Sequence, residues 1–237
     1  MSIFDVARVL LWLLAGLVSL YFSLGNARIW TSISIGFFLV FISEGHLVAP
    51  WVHYGTVMAM HSVVGIVAVL VVTFGFMEYY VFSRTLEAPG EKWVVYAMTG
   101  LVLLAALGFL LLNVVPGPAT VRNIRIIENA IWTATALINI DLLRKIHGQV
   151  RGTPIAPGFL GFIAAFVCIL LWRGSLLYLQ VYGFDDEARA LGLGSPDLDA
   201  KHFPIRVTVS AYTNRVASVL SSLSVGGVFV YLARALR

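Results

Sequence analysis

The amino-acid sequence predicts an all-α integral membrane protein, a seven-transmembrane-helix bundle with the amino terminus outside and the carboxy terminus in the cytoplasm. Of its 237 residues, 59% are hydrophobic and 12% are charged, whereas an ordinary soluble domain carries roughly 25% charged residues. A helix needs ~20 mainly apolar residues to cross a bilayer, and seven segments meet this length. They are far too long for the strands of a membrane barrel, so helices are the only option that satisfies the backbone in lipid.

The seven segments form a single membrane domain that covers residues 1–237. Their approximate ranges are 6–23, 29–50, 54–82, 93–115, 121–146, 159–182 and 207–232. Asp5 weakens the basic region that a signal peptide requires, so we interpret the first segment as a retained helix. Turn-forming residues such as Pro116-Gly117-Pro118 separate the segments, and only the sixth link is long. The sequence therefore predicts that consecutive helices pack antiparallel against each other.

The orientation follows from the lysine and arginine residues near the helix ends. Eight of them lie on the side of the carboxy terminus and six on the other side, and the positive-inside rule places the richer side in the cytoplasm. The net charge of +4 is spread over helix ends, which does not favour a nucleic-acid partner. We expect a bacterial or archaeal plasma (inner) membrane, with the lipid bilayer and other membrane protein subunits as partners.

Ionisable side chains inside membrane spans are rare, so each of them is a candidate functional residue. His46 and His61 lie at nearly equal distances from the turn near His53, and therefore at similar depth in neighbouring helices. Four more ionisable residues fall in the same outer half of the bundle. The candidate binding residues are His46, His61, Arg173, Arg215 and Glu128, and Glu44 joins the two histidines as a candidate metal ligand.

Three ligand chemistries suit this polar layer. A metal ion would take the imidazoles of His46 and His61 and the carboxylate of Glu44. Haem b held between those two histidines is disfavoured, because packed neighbouring helices are only ~8 to 10 Å apart; one of them could pair with Met58, Met60 or a residue of another subunit. Alternatively, Arg173 and Arg215 would clamp a carboxylate, a quinone or a lipid headgroup.

The preferred interpretation is a membrane-embedded subunit that binds a cofactor or small ligand in this layer and serves a redox or electron-transfer complex. Whether the protein is an enzyme is left open. The last helix has no lysine for a retinal Schiff base and no HxxxH zinc motif. The alternatives are a sensor or signalling module, a small transporter, or a structural subunit whose buried glutamates and arginines only pair with one another.

Overall fold

The computed structural model describes residues 3–25, 29–46, 54–85, 92–112, 116–184 and 204–235. All regular structure in these ranges is helical, which confirms the predicted all-α class. The helices are α1 (Ile3–Gly25), α2 (Ile29–His46), α3 (Tyr54–Thr85), α4 (Lys92–Leu112), α5 (Pro118–Gln149), α6 (Ala156–Val181) and α7 (Ile205–Ala235). Each coincides with one predicted segment. The ends predicted over 47–50 and 113–115 lie outside the described residues.

Four of the helices, α3, α5, α6 and α7, are long and apolar enough to cross a membrane. The apolar parts of α1, α2 and α4 are shorter over the described residues. These properties are those of a membrane protein. Helices of this length reach across the apolar core of a bilayer, and a helix satisfies its own backbone hydrogen bonds there.

Six helices form a closed ring in which α1, α2, α3, α5, α6 and α7 each pack against the next, and α7 returns to α1. The remaining helix, α4, lies outside this ring and rests mainly on α3. The expectation that all consecutive helices pack together is therefore wrong for α4 and α5, since α5 packs against α3 and α6 instead. The reason is chemical: α4 is mostly apolar, with Thr99 as a buried polar side chain among its described residues, whereas α3 and α5 carry polar side chains that are buried against each other.

Contacts along the helix pairs give their relative directions. Between α3 and α5, the amide of Asn139 donates to Oγ1 of Thr73 at 2.9 Å, and Ser83 further along α3 donates to Gln149 further along α5. The later residue of α3 contacts the later residue of α5, so the two helices are parallel. In contrast, Ser43 near the end of α2 meets His61 near the start of α3, which makes that pair antiparallel.

Aromatic side chains fill the middle of the ring. The ring of Phe229 packs edge-on against Phe37 at 5.2 Å and against Phe162 at 5.3 Å between centroids. Phe76 in turn contacts Phe162 at 5.4 Å, so rings from α2, α3, α6 and α7 meet at one level. Such edge-on pairs are a favoured arrangement of buried aromatic rings.

Buried polar side chains lie on both sides of this apolar layer. Ser32 donates to Oε2 of Glu78 at 2.7 Å towards the end where α2 begins, whereas Glu44, Glu128 and Arg173 lie towards the end where α1, α3 and α5 begin.

Close contact of α2 with α3 depends on Gly36. A Cβ atom at this position would lie 2.3 Å from Cγ2 of Val72 and 2.9 Å from its backbone nitrogen. The backbone of α3 cannot yield without moving the helix, so only glycine permits this approach.

We expect Gly36→Ala to destabilise the bundle by about 1 to 3 kcal/mol, the usual effect of overpacking a core. Gly100→Ala is the matched control, because nothing lies within 4 Å of a Cβ atom there and alanine is the better helix former. Thermal unfolding in detergent, followed by circular dichroism, would compare the two. Equal stability of both variants would contradict the close approach of α2 to α3.

Candidate ligand site

Five ionisable side chains from five helices meet near one end of the ring, and we call them the polar cluster. They are Arg8 of α1, Glu44 of α2, His61 of α3, Glu128 of α5 and Arg173 of α6. Counted from the described helix ends at ~1.5 Å per residue, they lie between about 3 and 15 Å inside the bundle. Four of the five are buried and Arg8 is partly buried.

Arg173 connects the cluster. Its Nη1 donates to Oε1 of Glu128 at 2.8 Å and to Oδ1 of Asn129 at 3.2 Å. Its Nη2 donates to Oε1 of Glu44 at 3.3 Å. The guanidinium is 2% exposed and lies over the ring of Trp172, at 4.2 Å from its centroid. One arginine thus binds carboxylates from two helices while an aromatic face covers its charge.

Arg8 supplies the second positive charge to Glu44. Its Nη2 is 2.8 Å from Oε2 of that carboxylate, an ion pair whose angles fall outside those of a good hydrogen bond. The guanidinium also lies 5.4 Å from the ring centroid of Trp172. Arg8 is one of the six lysine and arginine residues that the sequence predicts near helix ends on the side away from the carboxy terminus. Helical spacing could have identified it, because Trp12, Ala15 and Ser19 share its face and are buried.

The hydrogen bonds of His61 determine which ring nitrogen carries a proton. Its Nδ1 lies 2.9 Å from the backbone oxygen of Ser43 and 3.0 Å from the Ser43 hydroxyl. That hydroxyl donates its own hydrogen to the backbone oxygen of His61 at 2.8 Å. A carbonyl oxygen can only accept, so we assign the hydrogen to Nδ1. The other nitrogen, Nε2, faces Oε1 of Glu128 at 3.6 Å.

This arrangement leaves Nε2 of His61 as the ring nitrogen that faces the cluster, beside the carboxylate of Glu128. Among the described members, the charges of Arg8 and Arg173 balance those of Glu44 and Glu128.

Two buried N–H groups beside the cluster have no hydrogen-bond partner among the described atoms. They are Nε1 of Trp132 and Nε of Arg173. Both side chains are almost fully buried, at 3% and 2% exposure. Oε2 of Glu44 is a buried acceptor that likewise makes no hydrogen bond, although Arg8 lies 2.8 Å from it as an ion pair. Buried polar atoms are nearly always paired with protein, water or a ligand, so these three atoms are open to a further partner.

Gly65 allows the cluster to pack against α3. A Cβ atom there would lie 2.9 Å from Oε1 of Glu128, 3.2 Å from Oγ of Ser43 and 3.5 Å from Nε1 of Trp132. Three polar atoms therefore surround the side of Gly65 that a side chain would occupy. Sequence reasoning gave this glycine no role, since nothing near it in the chain marks it.

The structure brings four of the predicted residues together: Glu44, His61, Glu128 and Arg173. The predicted binding residue Arg215 is exposed on α7, and the arginine that joins Arg173 beside Glu44 is Arg8. The neighbouring Asn214 is the residue of α7 that reaches inward, donating to the backbone oxygen of Trp172 at 3.1 Å.

The predicted metal site depends on His46, which is at the end of α2 and whose side chain lies outside the described residues. Among the side chains that are described, no group of three or more His, Cys, Asp or Glu is placed to hold a metal ion. The triad of His46, His61 and Glu44 thus stays a prediction.

Comparisons with known proteins identify no relative: no family, curated protein or solved structure matches the chain.

The central position of Arg173 predicts a large effect of its removal. Arg173→Met leaves Glu128 without its 2.8 Å partner and Glu44 with Arg8 alone, and breaking a buried pair typically destabilises by about 3 to 5 kcal/mol. Arg215→Met is the matched control, and because Arg215 is exposed we expect a change below about 1 kcal/mol. Thermal unfolding of both purified variants measures the difference. Similar losses in the two variants would show that Arg173 does not hold the cluster together.

Proposed function

We propose that the chain is a seven-span integral membrane protein whose polar cluster binds a cofactor or small ligand, as a subunit of a redox or electron-transfer complex. The observation that carries this proposal is the convergence of five ionisable side chains from five helices. A single charged residue at the centre of a membrane span costs about 2.5 to 3.5 kcal/mol on insertion scales. A bundle without a function for the cluster could avoid that cost with apolar residues.

Charge pairing alone accounts for only part of the cluster. Two arginines and two glutamates balance each other and could serve merely to hold the helices in order. His61 is not needed for that balance, yet its ring is oriented by two contacts to Ser43. The N–H groups of Trp132 and Arg173 that lack a partner are also unexplained by pairing. These three features favour a binding site over a purely structural network.

The N–H groups of Trp132 and Arg173 that lack a partner favour an organic ligand with acceptor oxygens, such as a quinone or a carboxylate. A metal is less well supported. Nε2 of His61 and Oε1 of Glu128 are 3.6 Å apart, which two ligands of one metal at ~2.0 to 2.2 Å can adopt. However, the same oxygen of Glu128 already accepts a hydrogen bond from Arg173, which a metal would have to displace. Haem ligation by His61 would likewise replace its contact with Glu128.

The parallel arrangement of α3 and α5 supports seven membrane crossings. Helices α3 and α5 can cross the membrane in the same direction only if the chain crosses it in the opposite direction between them. This return is assigned to α4, whose position outside the ring leaves apolar side chains such as Leu101 and Leu104 exposed to lipid. With seven crossings the termini lie on opposite sides, and the charge bias places the amino terminus outside.

Single-cysteine labelling tests this topology. In a Cys168→Ala background, we expect Ser195→Cys to react with a membrane-impermeant maleimide on intact cells, because the link between α6 and α7 faces outward. Thr153→Cys, in the turn between α5 and α6, is the matched control and should react only after the cells are opened. Labelling of Thr153→Cys alone on intact cells would show that the protein has the opposite orientation. Labelling of both sites would show that α6 does not place the two links on opposite sides of the membrane.

The ligand itself can be sought in protein purified in detergent. We expect a solvent extract, an absorption spectrum or a metal determination to reveal one bound group per chain. His61→Ala should reduce its occupancy severalfold because the imidazole is part of the site, while His147→Ala, at the opposite end of α5, should not. The same measurement on His46→Ala decides whether that residue contributes. A wild-type protein that carries no group by all three methods, and whose His61→Ala variant supports its host complex normally, would rule the proposal out.

A further inference from the structure

We propose that a slot between α3 and α4 binds one acyl chain of a membrane phospholipid. The slot has a volume of about 280 Å³ and is lined by the middle of α3 and the first half of α4. No member of the polar cluster lines it, so the inference is independent of the function proposed for that cluster. Four features lead to this occupant: the lining of the slot, its width, its depth and its place in the packing of α4.

The lining of the slot is apolar. Val67, Val95 and Thr99 are buried, whereas Leu70 and Met98 are exposed, so the slot is closed on its inner side and open towards lipid. None of the described residues that line it is ionisable, and Thr99 alone among them carries a hydroxyl group. A water molecule needs two to four polar partners to occupy a cavity, so water does not fill this one. The occupant is therefore an uncharged, apolar group that enters from the bilayer.

The width of the slot fits a single hydrocarbon chain. Its lining extends from Val67 to Phe74 on α3 and from Val94 to Val102 on α4, which corresponds to a length of about 10 to 12 Å at ~1.5 Å per residue. A volume of about 280 Å³ over that length gives a mean cross-section of about 25 Å², or a width of about 5 Å.

This width excludes other apolar occupants. A helix with its side chains is about 10 to 12 Å in diameter, so a helix of a partner or of a second copy is too wide to enter. Carbon atoms pack at about 3.5 to 4.0 Å from one another. An unbranched hydrocarbon chain meets this spacing inside the slot, whereas the methyl branches of an isoprenoid chain make it wider.

The depth of the slot places it among the acyl chains of the bilayer. Residues 67–74 lie in the middle of the 32 residues of α3, the span with the highest mean hydropathy among the four long helices. The hydrocarbon core is about 30 Å thick and takes ~20 residues of a helix, so the slot lies near its centre. Lipid headgroups do not reach this depth, whereas the ends of acyl chains do. The slot is also longer along the helices than across them, and acyl chains extend in the same direction.

A bound chain completes the packing of α4. This helix contacts the ring mainly through α3, and the slot interrupts that contact along residues 94–102. Helices in lipid are held together by packing rather than by the hydrophobic effect, and atoms that face a void lose their dispersion contacts. A chain in the slot restores those contacts on both helices, which favours it over a chain in the surrounding lipid.

Photolabelling of the full chain in phosphatidylcholine vesicles tests the occupant and its depth. Two labelled phosphatidylcholines are used, one with a diazirine near the methyl end of an acyl chain and one with the diazirine near the ester. We expect the first to label residues 67–74 and 94–102 severalfold more than the region around Leu223, which is exposed in the middle of α7 and serves as a reference at similar depth. The second should label neither region. In detergent micelles, where lipid is scarce, labelling of the slot should saturate at a single lipid per chain.

Variants that fill the slot test its role. Val71→Phe places a ring in the slot and should reduce labelling of residues 94–102 severalfold. Val81→Phe makes the same change on an exposed part of α3 outside the slot and should leave labelling unchanged. Val102→Phe fills the slot from an exposed position, where an added ring does not overpack the core. It decides the question if Val71→Phe does not fold.

Equal labelling of the slot and of the Leu223 region would overturn the proposal, and so would unchanged labelling in the folded filling variants. Stronger labelling of the slot by the lipid with its diazirine near the ester would contradict the depth. Displacement of the label by an equimolar long-chain isoprenoid quinone would assign the slot to an isoprenoid chain instead. Disulfide formation between two chains through Met98→Cys in a Cys168→Ala background, with no labelling of the slot, would assign it to a second copy.

Discussion

Charged side chains can be buried in an apolar bundle only if each of them meets an opposite charge at close range. Arg173 meets this requirement for two carboxylates at once, Glu44 from α2 and Glu128 from α5. Because those carboxylates come from helices on different sides of the ring, the guanidinium fixes how far apart the helices are. The ring centroids of Trp172 and Trp132 lie 4.2 and 4.8 Å from its central carbon, so two aromatic rings stabilise the buried charge further.

The same requirement explains why α4 is outside the ring. His61 and Thr73 on α3 need partners on α5, namely Glu128 and Asn139. A helix between α3 and α5 in space would separate these pairs and leave polar groups buried without partners. The apolar α4 has no such requirement, and it completes the connection from the far end of α3 back to the start of α5. Chain order and spatial order therefore differ at α4.

Much of this architecture could be predicted from the sequence, because the length of an apolar segment is a local property. Depth could be predicted as well: Glu44, His61, Glu128 and Arg173 were placed in one layer by counting residues from the turns. Helix rotation could not be predicted in the same way. Arg215 and Asn214 are adjacent in α7 and so point in directions about 100° apart, and packing against α6 turns Asn214 inward. That rotation exposes Arg215, and the second arginine beside Glu44 is Arg8, whose position near the end of α1 predicted only a helix-end charge.

The position of Arg8 also bears on how a ligand would reach the cluster. Its side chain is 14% exposed, more than the other described members. In the proposed role, a ligand that approaches past α1 would meet Arg8 before the more deeply buried members. Arg8 and Arg173 both lie over the ring of Trp172, whose backbone oxygen accepts a hydrogen bond from Asn214. Movement of Arg8 towards such a ligand would weaken its ion pair with Glu44 and change its contact with Trp172. Binding would therefore affect α1, α2, α6 and α7 together, because their side chains meet around Arg8 and Trp172.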